Sequence, residues 1–174
     1  MLLRPATLAD VPAIADIYDD AVRTGTASFE LDPPGVGEMT RRFDALMAGD
    51  YPYLVAVDTD ETLLGYAYAG AFRPRIAYRF TVENSIYVAP GAQRRGVGKA
   101  LLTALVRECE ARGFRQMVAV IGDSANAGSI GVHRACGFRD VGIIKGSGLK
   151  FGRWLDTVLM QRDLGPGEST VPEA

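Results

Sequence analysis

The sequence predicts an α/β or α+β protein, a central sheet with helices on both of its faces. Three observations carry that expectation. Apolar residues recur at helical spacing in four separate stretches. Seven short runs rich in β-branched, aliphatic and aromatic residues lie around them, bounded by Gly, Pro and Asp. In the second half of the chain strand and helix alternate, the order produced when helices cover a sheet. The 174 residues fit one domain, expected over 1–164 with a tail over 165–174. A core of that size needs no disulfide or metal staple.

The elements follow in order. Leu2–Arg4 is a short strand. Asp10 has the identity of an N-cap and Pro12 suits a first turn. Ile14, Ile17, Tyr18, Ala21 and Val22 then form one stripe of a helix that ends before Gly25. Pro33-Pro34-Gly35 breaks the chain, and a second helix over 36–48 carries Met39, Phe43, Leu46 and Met47 and stops at Gly49. Tyr53–Val57 and Leu63–Ala71 read as a hairpin about Asp58-Thr59-Asp60-Glu61. Arg73-Pro74-Arg75 interrupts before a strand at Thr81–Val88.

Val97–Arg112 is a helix with Leu101, Leu102, Leu105 and Cys109 inward, closed by Gly113. Met117–Ile121 is a continuous apolar run, the signature of a strand buried on both faces. A helix over 127–136 closes at Gly137, and strands over 140–147 and 154–162 complete the sheet. The tail Gly165–Ala174 has almost no apolar anchor and is expected to be disordered.

Composition narrows the function. Hydrophobic residues at 48% and charged residues at 23% are ordinary for globular proteins, which argues against disorder, collagen and coiled coil. A net charge of −2 argues against a basic nucleic-acid binder, yet leaves room for a local patch that holds a small anion. Cys109 and Cys136 with a single histidine make no metal cluster, and both fit buried reduced thiols in a cytoplasmic protein. Met-Leu-Leu-Arg-Pro is no secretory leader, and no uncharged apolar run reaches the length of a membrane span.

Glycine is the outlier: 20 residues, above the average of roughly 7%. Part of the excess lies where Ser85-Ile86-Tyr87-Val88 runs into Ala89-Pro90-Gly91-Ala92, then Gln93-Arg94-Arg95-Gly96-Val97-Gly98-Lys99, then a helix. Glycines there let backbone approach an anion, and the helix start offers free N–H groups and a positive dipole end. Arg94, Arg95 and Lys99 add charge. The turn lacks the Gly-Lys-Ser/Thr ending of a kinase-type P-loop and the Gly-x-Gly-x-x-Gly of a dinucleotide fold.

Gln93-x-x-Gly96-x-Gly98 after Ile86-Tyr87-Val88, with Asn126 and Gly137-Phe138 downstream, resembles the GNAT family of acetyl-CoA-dependent N-acetyltransferases. Gly65–Gly70, Thr81-Val82-Glu83-Asn84-Ser85 and Lys150-Phe151-Gly152-Arg153-Trp154 narrow the likeness to the phosphinothricin and methionine sulfone/sulfoximine acetyltransferases. The resemblance covers about 160 residues in the right element order. It implies a mixed sheet of six to seven strands in which two neighbours splay and hold acetyl-CoA between them. The main chain of Ile86, Tyr87 and Val88 would bind the pantetheine arm. Arg94, Arg95, Gly96, Val97, Gly98 and Lys99 would hold the pyrophosphate, and Asn126 would bond the arm near its far end. A homodimer is implied by the same analogy.

Acetyl transfer to an amine needs a base for the ammonium, an N–H for the developing oxyanion and help for the departing thiolate; it needs no metal. Glu83 matches the subfamily's base, and partial burial would raise its pKa usefully. Val88's backbone N–H is the donor the family implies for the oxyanion. His133, the single histidine, falls seven residues after Asn126, where many such enzymes place a tyrosine that protonates the thiolate. A packed structural histidine is the competing reading. Arg73 and Arg75 about Pro74 are candidates for a substrate carboxylate. Glu83, Asn84 and Ser85 would line the amine end, with Phe29, Tyr78 and Trp154 as apolar walls.

The expected activity is N-acetylation of the α-amino group of a small amino acid-like molecule such as methionine sulfoximine, methionine sulfone or phosphinothricin, with detoxification as the outcome. Two alternatives stand beside it: acetylation of a protein N-terminus or lysine, and a non-catalytic acetyl-CoA-binding module. Neither a nucleic acid nor a membrane is an expected partner.

Overall fold

The computed structural model describes residues 1–172; the last two positions of the expected tail lie outside them. Seven strands, β1 Leu2–Pro5, β2 Tyr53–Val57, β3 Leu63–Ala71, β4 Thr81–Val88, β5 Gln116–Gly122, β6 Arg139–Lys150 and β7 Arg153–Asp163, form one sheet in the order β1-β2-β3-β4-β5-β7-β6. Every neighbouring pair is antiparallel except β4 with β5. That parallel pair needs a crossover, supplied by α3 Val97–Ala111.

One face is covered by α3 and by α4 Ala127–Ala135, over a core that includes Leu101, Leu102, Leu105, Met117 and Met160. The other is covered by α1 Val11–Thr24 and α2 Gly35–Ala48, through Ile14, Val22, Met39 and Phe43 against Tyr53, Val55 and Tyr66. The amphipathic stripes read from the sequence are the buried ones, except at the end of α2, where Leu46 is only partly buried and Met47 is 46% exposed. Both cysteines are free and buried, and burial pushes the Cys109 thiol up to about 12.

Four details depart from expectation. Leu8–Asp10 is a turn of 3-10 helix, and Asp10 does not cap α1. Its carboxylate instead accepts from the Thr7 N–H and hydroxyl and pairs with Arg4 at 2.7 Å. β5 is not buried along the whole of both faces: on the side away from α3 and α4, Gly122 lies under residues 26–29, but Val120 is 40% exposed. β6 and β7 run further than expected and meet at a turn where Phe151 and Gly152 both have positive φ. In the expected disordered tail, Gly167 N–H bonds the Leu164 carbonyl, and Arg115 donates to the Gly167 carbonyl and the Thr170 hydroxyl.

Candidate active site

β4 and β5 pair only from Thr81↔Gln116 to Asn84↔Ala119. Beyond that point each stays bonded to its outer neighbour, β4 to β3 and β5 to β7, and the two diverge. A cleft opens between Ser85, Ile86 and Tyr87 on one side and Val120, Ile121 and Gly122 on the other. Asn126, Ser129 and His133 of the α4 region and Ala27 border it.

Antiparallel pairing alternates, and Ala89 N–H to Leu64 C=O and Phe72 N–H to Thr81 C=O fix its phase in β4. Odd-numbered residues of β4 therefore turn their N–H and C=O to β3, and even-numbered ones turn them to β5. Ile86 and Val88 direct theirs across the gap that β5 has left. Tyr87, grouped with them in the sequence reading, has its main chain engaged with Tyr66 instead. This is the direct consequence of its odd position.

Past β4, Pro90–Ala92 forms a 3-10 turn, Arg94 has a φ of 59° and Gly96 precedes α3 with a φ of 82°. Gly96 takes a left-handed conformation that a side chain disfavours, and no side chain caps the N–H groups that follow. Val97 is buried, while Gly98 lies over Val88, where a Cβ would meet Val88 Cγ2 at 3.6 Å. Arg94, Arg95 and Lys99 are exposed around this helix start, with Arg95 reaching Asp58 at 3.4 Å. Unpaired Ile86 and Val88 groups, open α3 N–H groups and this basic rim fit an extended arm with an anionic end.

The alternation also sorts the side chains. Val82, Asn84, Ile86 and Val88 face α3 and α4, whereas Glu83, Ser85 and Tyr87 face α1 and the loop that follows it. Glu83 is half-buried, and burial pushes its carboxyl up while the Arg73 charge opposes part of that push. Arg73 itself lies over the Phe72 ring at 5.1 Å. Arg73, Pro74 and Arg75 are all exposed, and among the described residues the Arg75 guanidinium makes no hydrogen bond or ion pair. Ser85 shares Glu83's face and stands opposite Tyr68 of β3.

Asn84, expected beside them at the amine end, points the other way, into α4. Its Nδ2 stands 2.9 Å from His133 Nε2. His133 Nδ1 lies 2.8 Å from the Ser129 carbonyl, and the ring packs edge-on against Phe138 at 5.0 Å. A carbonyl only accepts, so Nδ1 carries the proton and Nε2 accepts from Asn84. Burial lowers the His133 pKa. The sequence reading of His133 as acid to the thiolate meets a neutral ring with both nitrogens engaged. Asn126 caps α4 through Oδ1, which accepts from Ser129 N–H at 3.1 Å.

Sequence reasoning named Phe29 as a wall but did not bring Tyr18, Tyr66, Ser28 and Lys150 together on the Glu83 side of the sheet. Tyr87 stacks on Tyr66 at 5.3 Å and meets Tyr18 edge-on at 5.0 Å. Tyr18 OH and Ser28 Oγ are 2.9 Å apart. Lys150, only 3% exposed, donates to the Ser28 carbonyl at 2.8 Å. Phe29 fills the space above Gly122 and Gly148, where added Cβ atoms would stand 2.9 and 2.5 Å from its ring. Trp154, expected as a wall, is 69% exposed on the β6–β7 hairpin, and Tyr78 rests edge-on against Phe72. Among the described residues no cluster of three His, Cys, Asp or Glu is placed to hold a metal ion, and no helix is long and apolar enough to cross a membrane.

The model of the acetyltransferase (GNAT) family matches residues 14–138. A phosphinothricin N-acetyltransferase of Alcaligenes faecalis is 54% identical over 164 residues, 94% of this chain and 83% of that one. An L-methionine sulfoximine/L-methionine sulfone acetyltransferase of Pseudomonas paraeruginosa is 44% identical over 167 residues, 96% of each chain. A phosphinothricin acetyltransferase of Sinorhizobium meliloti, solved in complex with acetyl-CoA, superposes with a TM-score of 0.96 at 51% identity, over 99% of this chain and 92% of that one.

Proposed function

The chain belongs to the acetyltransferase (GNAT) family, and from that premise we propose that it transfers the acetyl group of acetyl-CoA to the α-amino group of a small amino acid-like acceptor. Phosphinothricin, methionine sulfoximine and methionine sulfone are the candidate acceptors, from the relatives' activities. One observation carries the reading: the gap between β4 and β5 has unpaired main chain of Ile86 and Val88 on its rim and the half-buried Glu83 on the acceptor side.

In the mechanism, the α3 start with Arg94, Arg95, Gly96, Val97, Gly98 and Lys99 holds the pyrophosphate, while Ile86 and Val88 hold the arm and Asn126 bonds its far end. The bound co-substrate supplies an activated thioester. Glu83 takes the proton of the acceptor's ammonium, directly or through water, so that a neutral amine attacks the thioester carbon in a ternary complex. Ile86 N–H, the unpaired donor nearest Glu83 and Asn84, meets the carbonyl oxygen as it gains charge. It does so in place of the Val88 N–H that the resemblance implied, which lies at the pyrophosphate end of the open stretch. Arg73 holds the acceptor's anionic end, with Arg75 and Pro74 shaping the same loop. The proton from the amine balances the thiolate that leaves, and detoxification of the acceptor is the outcome.

Free-thiol release with a panel of amino acids tests this. Turnover with at least one of the three candidates, and little with lysine-rich or N-terminal peptides, is expected. Acetyl-CoA binding without turnover on any amine would instead support a non-catalytic module.

The same proposal includes a homodimer and a cytoplasmic location. Val141, Ile143, Ile144, Leu149 and Trp154 leave an apolar surface on β6–β7, each about half exposed or more. The two unpaired cysteines suit a reducing compartment. Light scattering on the eluted protein that gave a monomer mass at all concentrations would remove the dimer.

A further inference from the structure

Asn84 closes the paired part of β4, and its amide is oriented by what it meets in α4. Because His133 Nδ1 gives its proton to the Ser129 carbonyl, Nε2 can only accept, and Asn84 must present Nδ2 to it. The orientation of the amide is thereby fixed, and Oδ1 is left over. That oxygen is buried and has no hydrogen-bond partner among the described residues. Asn84 is 6% exposed and His133 4%. Native structures seldom keep a buried acceptor idle unless a donor arrives from elsewhere.

Both residues border the cleft that contains Ile86 and Asn126. The inference rests on the acetyl-CoA reading above. An arm anchored at the α3 start and running past Val88 and Ile86 brings its thioester end to Asn84 last. Its donors are two secondary amides and a hydroxyl, and of these the amide nearest the thioester lies furthest along that path. The acceptor amine is the other source of N–H groups, but Glu83 serves it from the opposite face of the sheet.

We propose that Asn84 Oδ1 accepts a hydrogen bond from the co-substrate amide nearest the thioester, and that His133 is a positioning residue that holds the Asn84 amide in the orientation presenting that oxygen. His133 touches neither reactant in this arrangement and acts only through Asn84.

The single histidine makes the first test direct, since ¹⁵N imidazole spectra of the full chain report His133 alone. The neutral Nδ1–H form is expected near pH 7, without and with acetyl-CoA; an imidazolium or an Nε2–H form would overturn the proposal. The second test is calorimetric, with acetyl-CoA and an analogue whose amide nearest the thioester is an ester. The wild type should bind the analogue roughly tenfold more weakly, and Asn84→Leu should bind the two about equally. Equal discrimination in both proteins would overturn the assignment.

His133→Phe should lose the discrimination as Asn84→Leu does, and His133→Gln, whose Oε1 can accept from the amide, should retain it. An additive double variant would give His133 a separate role and overturn its part. Failure of the wild type to bind acetyl-CoA at all would instead sink the co-substrate reading. The wild-type spectra and analogue binding hold even if a variant fails to fold.

Discussion

Glu83 and Asn84 are neighbours on β4 and serve opposite faces of the sheet. Glu83 looks toward α1 and feels Arg73, while Asn84 bonds His133 beneath α4. In the proposed reaction the amine side and the arm side are thus set by consecutive residues, with the gap between β4 and β5 joining them. A shift of one residue in the register of β4 would exchange their faces.

Glu83→Gln should lower kcat/KM near neutral pH by about 10²–10⁴-fold and remove the acid limb of the wild-type profile. Burial raises the Glu83 pKa, so that limb should lie above the ordinary carboxylate range. The sign for stability is opposite. A buried carboxyl with a raised pKa binds more protons folded than unfolded, so the wild type loses stability as pH rises through that window. Glu83→Gln should therefore melt higher than wild type at neutral pH. An unchanged rate at every pH would exclude Glu83 as the base.

Arg73→Ala should raise KM for the acceptor and leave KM for acetyl-CoA nearly unchanged. It should also move the acid limb to higher pH, because the Arg73 charge now holds the Glu83 pKa down. Arg73→Lys keeps that charge and loses the paired fork, so the limb should return while acceptor affinity recovers only in part. Initial-rate kinetics across pH distinguish binding from titration.

Much of this site is written locally. The strand at Thr81–Val88, the glycine turn and the helix start are contiguous, and period-two alternation alone puts Glu83 and Asn84 on different faces. Contacts between distant segments left no such trace. Nothing near His133 in the sequence announces Asn84, 49 residues away, and Lys150 meets the Ser28 carbonyl across 122 positions. The Asp10 cap failed for a related reason: Arg4 and Thr7 compete for the same carboxylate, and an N-cap pattern does not weigh rivals.

That rivalry predicts a pH dependence. Arg4, first, then Thr7 hold the Asp10 carboxyl at about 2, below its ordinary 3.8. A depressed carboxyl stabilises the fold above its unfolded pKa, and the contribution is lost as pH falls through the folded value. Allowing for solvent around the partly exposed Arg4, Asp10→Asn should cost about 1 kcal/mol near neutral pH. Urea melts of the two proteins should converge as the pH falls from about 4 toward 2.

Gly122 and Gly148 both underlie the loop after α1, yet alanine should be tolerated differently at each. At Gly122 a Cβ would stand 2.4 Å from the Thr26 carbonyl oxygen and 3.0 Å from that of Ala27, both main chain. Backbone cannot rotate aside as a side chain can, so Gly122→Ala should displace residues 26–29 and cost about 1–3 kcal/mol. Ala27 borders the cleft, so the acceptor KM should rise with the loss of stability. At Gly148 the clash is with the Phe29 ring, 2.5 Å from Cε2. A ring that is 36% exposed has solvent to turn into, so Gly148→Ala should cost less and leave the Thr26–Ala27 main chain in place. Thermal melts paired with acceptor KM would show it. Equal effects at the two positions would mean that Phe29, rather than the Thr26–Ala27 main chain, shapes this wall of the cleft.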